Sequence, residues 1–444
     1  MKRVLLLAYL FPPIANSGTQ RPLKFAKYLG QHGWAPTVVT AAQFENHRTD
    51  PGLLADIPAG VQVVRVPMLN QRVGAALAKS LGGTAIGQRL GNGVEWRMQN
   101  RYRTPDLYGL WRPTAVRASM RIFRDVGFDA IYATGYPWTS LLVGRDVSRA
   151  TGCPLVADFR DLWAGETSFL SERPDRAEEL ALERAVVDTA QSVVSTSSAM
   201  TRLMIAAHPE ADAGKFVTIH NGFDPEDLDV TQPPRQPDQP FRIVFTGVWK
   251  EGYNPSALYD SIDWLRRSQP KLLDGVEVVA AGFEPGEAKR RGLLSHITEV
   301  GVLPHRDAVA LMHSADVLYL THADSSRQWA VPGKLYEYLA SGRPVMALTN
   351  PDGETGQIIG QVGGGLAIAA DDPGALYQAI ADACRLRKLE TPPLDRHALA
   401  GFERRHLARR LTNVLNDVTS RVAAPGVVSR MSPAAPVVPR WRPR

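Results

Sequence analysis

Residues 2–40 read KRVLLLAYLFPPIANSGTQRPLKFAKYLGQHGWAPTVVT and contain the pattern of a complete βαβ unit. The segment from Arg3 to Tyr9 is apolar on both faces, which is typical of a buried parallel strand. An amphipathic helix is expected from about Arg21 to His32, and the β-branched run at residues 37–40 indicates a second strand. Strand, helix and strand in this order predict a parallel α/β sheet.

The same alternation continues on both sides of a proline-rich segment. In the N-terminal half, further strands are expected at about residues 61–66, 129–132, 154–158, 192–196 and 216–219. Residues 225–240 (PEDLDVTQPPRQPDQP) are acidic and almost without large apolar groups, which indicates a linker. Five more strands are expected after it, at Phe241 to Thr246, Val276 to Ala280, Val317 to Leu320, Pro344 to Leu348 and Leu366 to Ile368.

A chain of 444 residues is longer than one hydrophobic core usually organises, so two domains are expected. The alternation predicts an α/β protein with two Rossmann-like, doubly wound domains facing each other across a cleft. The N-terminal domain would span residues 1–224 and the C-terminal domain residues 241–395. A basic helix at 396–422 is expected to pack back on the N-terminal domain, and the proline-containing tail at 423–444 is expected to be disordered.

Cysteine usage and hydropathy indicate a cytoplasmic protein. Cys153 and Cys384 stand alone, so the sequence supports neither a disulfide framework nor a zinc site, and a reducing compartment is expected. The apolar run at residues 4–10 is cut short by Pro12 and Pro13, which argues against a signal peptide. No later apolar run approaches the ~20 residues that a membrane-spanning helix needs.

Positive charge is concentrated in one segment of the N-terminal half. The chain carries a net charge of +6, and residues 70–125 alone hold ten Lys and Arg against three acidic residues, a net charge of +7. Aromatic and aliphatic residues are interleaved with these charges, which predicts a surface for anionic lipid head groups. The alternative is a solvated helix face with its apolar side in the core. Nucleic acid is not an expected partner because no reading motif accompanies the charge.

Two loops at strand ends of the N-terminal half carry candidate site residues. Because ligands bind at the carboxyl ends of strands in open α/β sheets, these loops are the informative ones. The first contains Gly18, which allows close backbone approach, and Arg21, placed near a helix start. The second contains Asp158, Arg160 and Asp161 directly after a strand. The alternative for the second loop is an internal Arg–Asp salt bridge.

The C-terminal half contains two further candidate loops. Gly247 and Lys250 follow its first strand, and glycines with a lysine can cradle phosphate. Residues 329–345, WAVPGKLYEYLASGRPV, predict a helix of about ten residues that opens near a proline and closes at a glycine. The start of this helix, together with Lys334, would bind a diphosphate, and Glu337 shares its face. A simple Lys–Glu helix pair is the alternative.

At these residues the chain resembles the family 4 glycosyltransferases, which share the GT-B fold and include bacterial enzymes of cell-surface polysaccharide synthesis. The resemblance covers nearly everything from Val4 to about residue 420. It is carried by FPP…G…RPLKFAKYLGQHGW…TVVT, ADFRDLW, VVSTSSAM…HNGFD, HRDAVALMHSADVLYL and PGKLYEYLASGRPV.

The resemblance implies a nucleotide-sugar donor bound by the C-terminal domain, with no other cofactor. Glu337 would hold the donor ribose, and Gly333 with Lys334 would contact the diphosphate. Many members carry a first glutamate eight positions before the second, facing the sugar, and here that position is Trp329. The usual phosphate clamp is reduced to Gly247 with Lys250. These departures leave the identity of the donor open.

The implied reaction is hexosyl transfer to a glycan or lipid-linked acceptor with retention at the anomeric carbon, without a metal. Lys334 would stabilise the leaving diphosphate, and the acceptor side would include Gly18 and Arg21. The predicted catalytic residues are Lys334, Glu337, Asp158, Arg160 and Asp161. A peripheral position at the inner face of an anionic membrane is also expected. Two alternatives stay open: a nucleotide-sugar epimerase of the same fold, and a non-catalytic partner subunit.

Overall fold

The computed structural model describes residues 1–42, 47–82, 84–101, 104–164, 176–229, 239–250 and 252–423. The chain divides into two compact units. Unit 1 comprises Met1–Ser195, Leu203–Thr218 and the residues from Ala408 onward, and unit 2 comprises Thr196–Arg202 and Ile219–Leu407. Residues 219–224 thus group with unit 2, although the sequence-based boundary places them in the N-terminal domain. Most of the expected linker (230–238) and the expected tail from 424 lie outside the described residues.

Seven strands form the sheet of unit 1: β1 (Lys2–Leu7), β2 (Trp34–Ala41), β3 (Gln62–Val66), β4 (Ala130–Gly135), β5 (Leu155–Phe159), β6 (Ser192–Ser195) and β7 (Phe216–Thr218). All their pairings are parallel, in the order β3-β2-β1-β4-β5-β6-β7. The alternation of the sequence is therefore confirmed in this half. Strand order reverses between β1 and β4, and at such a switch point adjacent loops diverge and leave a crevice.

The described helices of unit 1 flank this sheet: α1 (Ser17–Leu29), α2 (Leu69–Ser80), α3 (Ala85–Arg101), α4 (Arg112–Asp125), α5 (Thr139–Thr151) and α6 (Arg176–Thr189). Helix α1 begins at Ser17, before the expected Arg21, because the Asn16 side chain accepts a hydrogen bond from the Gly18 amide at 2.8 Å and caps the helix. The next helix, α7 (Ser198–Ala207), contributes residues to both units.

The sheet of unit 2 has six described strands: β8 (Phe241–Thr246), β9 (Val276–Ala281), β10 (Ile297–Glu299), β11 (Val317–His322), β12 (Val345–Thr349) and β13 (Gly365–Ile368). They are parallel, in the order β10-β9-β8-β11-β12-β13. Strand β10 is missing from the sequence-based expectation because three residues are too few for a periodic pattern. Strand order reverses between β8 and β11, so the switch point lies at the ends of these two strands.

Helices cover both faces of this sheet: α8 (Ser256–Ser268), α9 (Glu287–Arg290), α10 (His305–His313), α11 (Lys334–Ala340), α12 (Glu354–Val362), α13 (Pro373–Leu386) and α14 (Arg396–Ala400). Apolar side chains of successive strand residues enter opposite faces. Phe245 belongs to one buried cluster and Val244 to the other. This two-sided burial explains why the strands of the sequence are apolar throughout instead of alternating.

Helix α11 is shorter than the sequence predicts, and Pro332 is not its first residue. The Leu335 amide donates to the Pro332 carbonyl at 3.0 Å, so a tight turn precedes the helix, which starts at Lys334. At the other end Gly342 has a φ of +74°, a left-handed conformation that ends the helix as expected. The helix has seven residues instead of about ten, so its dipole is smaller than expected. A ligand at its start would therefore be bound mainly by the charge of Lys334.

The last described helix, α15 (Arg404–Ala423), begins in unit 2 and joins unit 1 from Ala408. Within unit 1, Lys2 Nζ donates to Thr419 Oγ1 at 2.8 Å. Trp34 Nε1 donates to Asn416 Oδ1 at 3.2 Å. These bonds tie the helix to the first two strands of the sheet.

None of the described helices is both long and apolar enough to cross a membrane. In the described ranges, no group of three or more His, Cys, Asp or Glu side chains could hold a metal ion. Cys153 and Cys384 are both free thiols.

Candidate active site

The best-defined polar site of unit 2 lies at the switch point of its sheet, where β8 ends at Thr246 and β11 ends at His322. Loops 247–254 and 323–333 continue from these two strand ends, and α11 follows the second loop. The Ala323 amide donates to the Gly252 carbonyl at 2.9 Å and holds the two loops together. The structure therefore brings Gly247, Gly333, Lys334 and the end of β8 to one edge of the sheet.

Lys334 turns its ammonium onto the end of β8. Its Nζ donates to the Thr246 carbonyl oxygen at 2.9 Å and lies 4.2 Å from the centroid of the Phe245 ring. Among the described residues no carboxylate pairs with it, and burial lowers its pKa to about 7. A lysine at a strand end that has no carboxylate partner is suited to bind an anionic ligand.

Gly247 makes room for this lysine. A Cβ atom added at Gly247 would lie 2.6 Å from Lys334 Nζ, closer than van der Waals contact allows. On its other side, Gly247 meets Gly282, whose φ of +105° and close approach to the Gly247 carbonyl leave no space for a side chain. The sequence pairs Gly247 with Lys250 as a phosphate cradle, whereas in the structure the lysine beside Gly247 is Lys334 of α11.

Tyr338 fixes the carbonyl that Lys334 binds. Its hydroxyl accepts a hydrogen bond from the Thr246 amide at 2.8 Å and lies 3.0 Å from Thr246 Oγ1. Burial raises the Tyr338 pKa to about 12, so the phenol stays protonated at neutral pH. Because Tyr338 is one helical turn after Lys334, two side chains of α11 hydrogen-bond to Thr246 at the end of β8.

Glu337 does not pair with Lys334, so the alternative of a simple Lys–Glu helix pair is not observed. The Glu337 Oε1 atom lies 3.1 Å from His305 Nε2, at the first residue of α10. The Glu337 side chain is 20% exposed and that of His305 is 30% exposed, so neither side chain is fully buried. The sequence analysis missed His305, and its only signal was the HRD triplet at the start of a predicted helix.

Lys250 and Trp329, two further residues of the sequence analysis, differ in their surroundings. Lys250 is exposed, with Nζ 5.5 Å from the centroid of the Tyr253 ring in the same loop. Trp329 is buried, and its backbone carbonyl accepts a hydrogen bond from the Ser197 hydroxyl. The position therefore holds a buried indole and a backbone carbonyl that already has a hydrogen-bond partner.

In unit 1, Asp158 forms a buried ion pair with Arg21. Arg21 donates from Nε at 2.9 Å and from Nη2 at 2.7 Å, one bond to each carboxylate oxygen. Tyr132 Oη and Thr134 Oγ1 donate to the same carboxylate at 2.6 and 2.7 Å. Burial alone would raise the Asp158 pKa, but the charge of Arg21 and these hydrogen bonds outweigh it, so the pKa is lowered. Asp158 therefore does form an Arg–Asp salt bridge, but its partner is Arg21 of α1 and not an arginine of its own loop.

Arg160 joins the loops around this ion pair. Its guanidinium donates to the carbonyls of Gly18, Tyr136 and Gly135, the last at 3.2 Å. A Cβ atom at Gly18 would collide with that guanidinium, which accounts for the glycine. Burial lowers the Arg160 pKa. Asp161 follows as a half-buried residue next to the network. Four of the five predicted residues of unit 1 thus meet, and Asp158 itself is fully buried.

The two halves of the chain match two family models. Residues 18–222 match the glycosyl transferase 4-like domain, and residues 241–385 match the glycosyl transferases group 1 domain. The chain belongs to the family 4-like glycosyltransferases. As such it uses a nucleotide-sugar donor. No curated relative matches the chain.

Solved structures confirm the GT-B fold of this glycosyltransferase. A sucrose-phosphate synthase from Thermosynechococcus elongatus is 14% identical with a TM-score of 0.62, over 95% of this chain and 100% of that one. The lipopolysaccharide outer core galactosyltransferase WaaB is 12% identical with a TM-score of 0.57, over 94% and 99%. Anabaena HepE, in complex with UDP-glucose, is 17% identical with a TM-score of 0.54, over 95% and 98%.

Proposed function

We propose that this glycosyltransferase moves a hexosyl group from a nucleotide sugar to a glycan or lipid-linked acceptor, with retention of the anomeric configuration and without a metal ion. The observation that carries the proposal is Lys334 at the switch point of unit 2. Its ammonium rests on the Thr246 carbonyl and the Phe245 ring, neither of which neutralises its charge. A diphosphate supplies the missing negative charge, and a divalent cation is then not needed at this position.

Glu337 is proposed to bind the donor ribose. A carboxylate accepts hydrogen bonds from two neighbouring hydroxyls, and such charge-assisted bonds are the stronger kind. His305 holds Oε1 at 3.1 Å, which orients the carboxylate before the donor arrives. Gly333, exposed directly before α11, leaves the approach to Lys334 open on the ligand side, and the exposed Lys250 can add charge when the donor is bound.

In the proposed reaction, the bond between the anomeric carbon and the leaving phosphate oxygen breaks as the acceptor oxygen bonds to the same face. The acceptor proton passes to the leaving phosphate oxygen, so atoms and charge balance. Negative charge grows on the diphosphate during this step. Lys334 therefore binds the transition state more tightly than the ground state, which is the requirement for catalysis.

The residues of unit 1 are proposed to shape the acceptor side mostly by positioning. Asp158 is fully buried and its oxygens are occupied, so it acts through Arg21 and Arg160 on the loop that carries Gly18. Direct acceptor contact is proposed for Asp161, whose side chain is only half-buried. This differs from the sequence-based prediction, which lists Asp158 and Asp161 alike among the catalytic residues.

Helix α3 supports the proposed contact with an anionic membrane. Ile86, Leu90 and Trp96 are 71%, 52% and 67% exposed, and the exposed Arg89 and Arg97 lie on the same stripe of the helix. Large apolar side chains with flanking arginines are typical of helices that lie in a lipid interface. Such a face fits an enzyme that meets a lipid-linked glycan at the inner side of a membrane. Tyr102 and Arg103 of the basic segment lie outside the described residues.

A ligand screen tests the proposal. UDP-, GDP-, ADP- and dTDP-sugars are compared for their effect on the melting temperature of the wild type and of Lys334→Met, since a ligand that binds the native state raises its stability. One nucleotide class should stabilise the wild type and have little effect on the variant. The product made with that donor should keep the anomeric configuration by NMR. Stabilisation by none of the donors would contradict the proposal, and conversion of the donor to its epimer without acceptor would favour the epimerase.

A further inference from the structure

His322 is a buried side chain with one nitrogen left without a partner. It is the last residue of β11 and is only 4% exposed. Its Nδ1 lies 2.9 Å from Thr355 Oγ1. Its Nε2 is buried and has no hydrogen-bond partner among the described residues. An unpaired polar atom in a buried position is costly, and a ligand that donates a hydrogen bond to it would remove that cost.

The hydrogen-bond network determines which nitrogen carries the proton. Thr355 donates its hydroxyl hydrogen to the Ala330 carbonyl at 3.2 Å, so the same oxygen accepts from His322 Nδ1. Nε2 then presents a bare lone pair. Burial, with the nearby charges of Arg327 and Lys334, lowers the His322 pKa to about 4, against a smaller opposing effect of Asp324. The ring is neutral at physiological pH, and Nε2 can only accept a hydrogen bond.

His322 shares the switch point with the proposed donor site. Strands β8 and β11 are neighbours, so their last residues, Thr246 and His322, lie at one edge of the sheet. Lys334, bound to the Thr246 carbonyl, is close enough to His322 to act on its pKa. The ring of Tyr253, on the loop after β8, has its centroid 5.3 Å from that of His322. His322 therefore lies at the same edge of the sheet as the proposed diphosphate site.

We infer that His322 Nε2 binds the sugar of the donor by accepting a hydrogen bond from one of its hydroxyl groups. This inference rests on the proposed function. A neutral imidazole lone pair repels phosphate oxygens, so its partner must be an O–H or N–H donor, and hydroxyls are what a glycosyl group offers. The adjacent loop does not supply this acceptor: the Ala330 and Trp329 carbonyls are taken by Thr355 and Ser197.

On this inference a neighbouring side chain moves when the donor binds, because Nε2 is buried in the free protein. The Tyr253 ring is the candidate, since its centroid lies 5.3 Å from that of the His322 ring and it belongs to a separate loop.

The test compares donor and nucleoside diphosphate on the same variants. Calorimetry measures the affinity of the best-stabilising nucleotide sugar and of its nucleoside diphosphate for the wild type, His322→Phe and His322→Gln. Loss of one hydrogen bond in His322→Phe should lower the affinity for the nucleotide sugar about tenfold and leave the affinity for the nucleoside diphosphate unchanged. His322→Gln, whose amide oxygen can take the place of Nε2, should regain part of the loss. Thr321→Val, which removes the buried hydroxyl of the preceding residue, is the matched control and should change neither affinity.

Deoxy-sugar donors identify the hydroxyl without any substitution. One deoxy analogue should bind the wild type about tenfold more weakly than the full donor, and His322→Phe should not distinguish the two. Three results would overturn the inference while leaving the proposed function intact. The first two are that His322→Phe weakens the nucleotide sugar and the nucleoside diphosphate equally, or weakens neither. The third is that His322→Phe still binds every deoxy analogue more weakly than the full donor. Failure of the wild type to bind any nucleotide sugar would instead overturn the proposed function, and the inference with it.

Discussion

Donor binding should weaken with rising pH, and replacement of Lys334 by methionine should abolish that dependence together with most of the affinity. In the free protein burial lowers the Lys334 pKa from 10.5 to about 7. The side chain is thus mostly ammonium at pH 6 and mostly neutral amine at pH 8. A bound diphosphate favours the ammonium and raises its pKa. Binding above pH 7 therefore requires uptake of a proton.

The size of the effect follows from the pKa of the free protein. Each pH unit above that value weakens donor binding about tenfold, until the pKa of the complex is reached. Because only half of the molecules carry a charged Lys334 at pH 7, the loss between pH 7 and pH 9 is about 50-fold, or about 2.3 kcal/mol. The diphosphate of a nucleotide sugar is a diester that stays fully ionised over this range. The neighbouring His322 and Tyr338, with pKa values of about 4 and about 12, do not titrate within it.

Isothermal titration calorimetry from pH 6 to pH 9 measures this slope for the wild type, Lys334→Met and Lys334→Arg. The arginine variant keeps its charge throughout and should bind with little pH dependence, whereas the methionine variant should bind weakly at every pH. The lowered pKa also destabilises the folded state below pH 10.5, with the full penalty reached below about pH 7, so Lys334→Met should raise the melting temperature most at low pH. A flat profile for the wild type, or full affinity of Lys334→Met, would refute the assignment of Lys334 to the diphosphate.

Four further outcomes are expected. Glu337→Gln should weaken donor binding by about one to two orders of magnitude through loss of charge-assisted hydrogen bonds, with an unchanged melting temperature; a lowered melting temperature with intact binding would mean a structural role only. Asp158→Ala should lower the free energy of unfolding by about 3–5 kcal/mol because it leaves Arg21 charged and buried; urea denaturation measures this, with Asp161→Asn as the mild control. Sedimentation with anionic liposomes should fall at high salt and in Trp96→Glu, and equal binding to neutral liposomes would count against it. Transfer should survive EDTA, and loss of activity that Mg²⁺ restores would contradict a metal-independent reaction.

Much of the fold was predictable because its elements are encoded locally. Strands such as β1 and β8 are continuous apolar runs between turn signals, and buried parallel strands require that composition. The predictions are wrong where an element is too short to show a pattern, or where the same residues favour two local structures. Strand β10 has only three residues, and α11 begins after Pro332 because a tight turn competes with the first helical turn.

For the candidate site, the sequence by itself determined which residue types were available: Lys334 and Glu337 at the start of one helix, and a charged loop after β5. It did not determine their partners. His305, which contacts Glu337, is 32 residues away in the chain, and Arg21 is 137 residues from Asp158. Only the order of strands in a sheet brings such positions together. That order results from packing the whole core, which no local pattern contains, so the pairing of Asp158 with Arg21 and the unpaired nitrogen of His322 were decided by the tertiary structure.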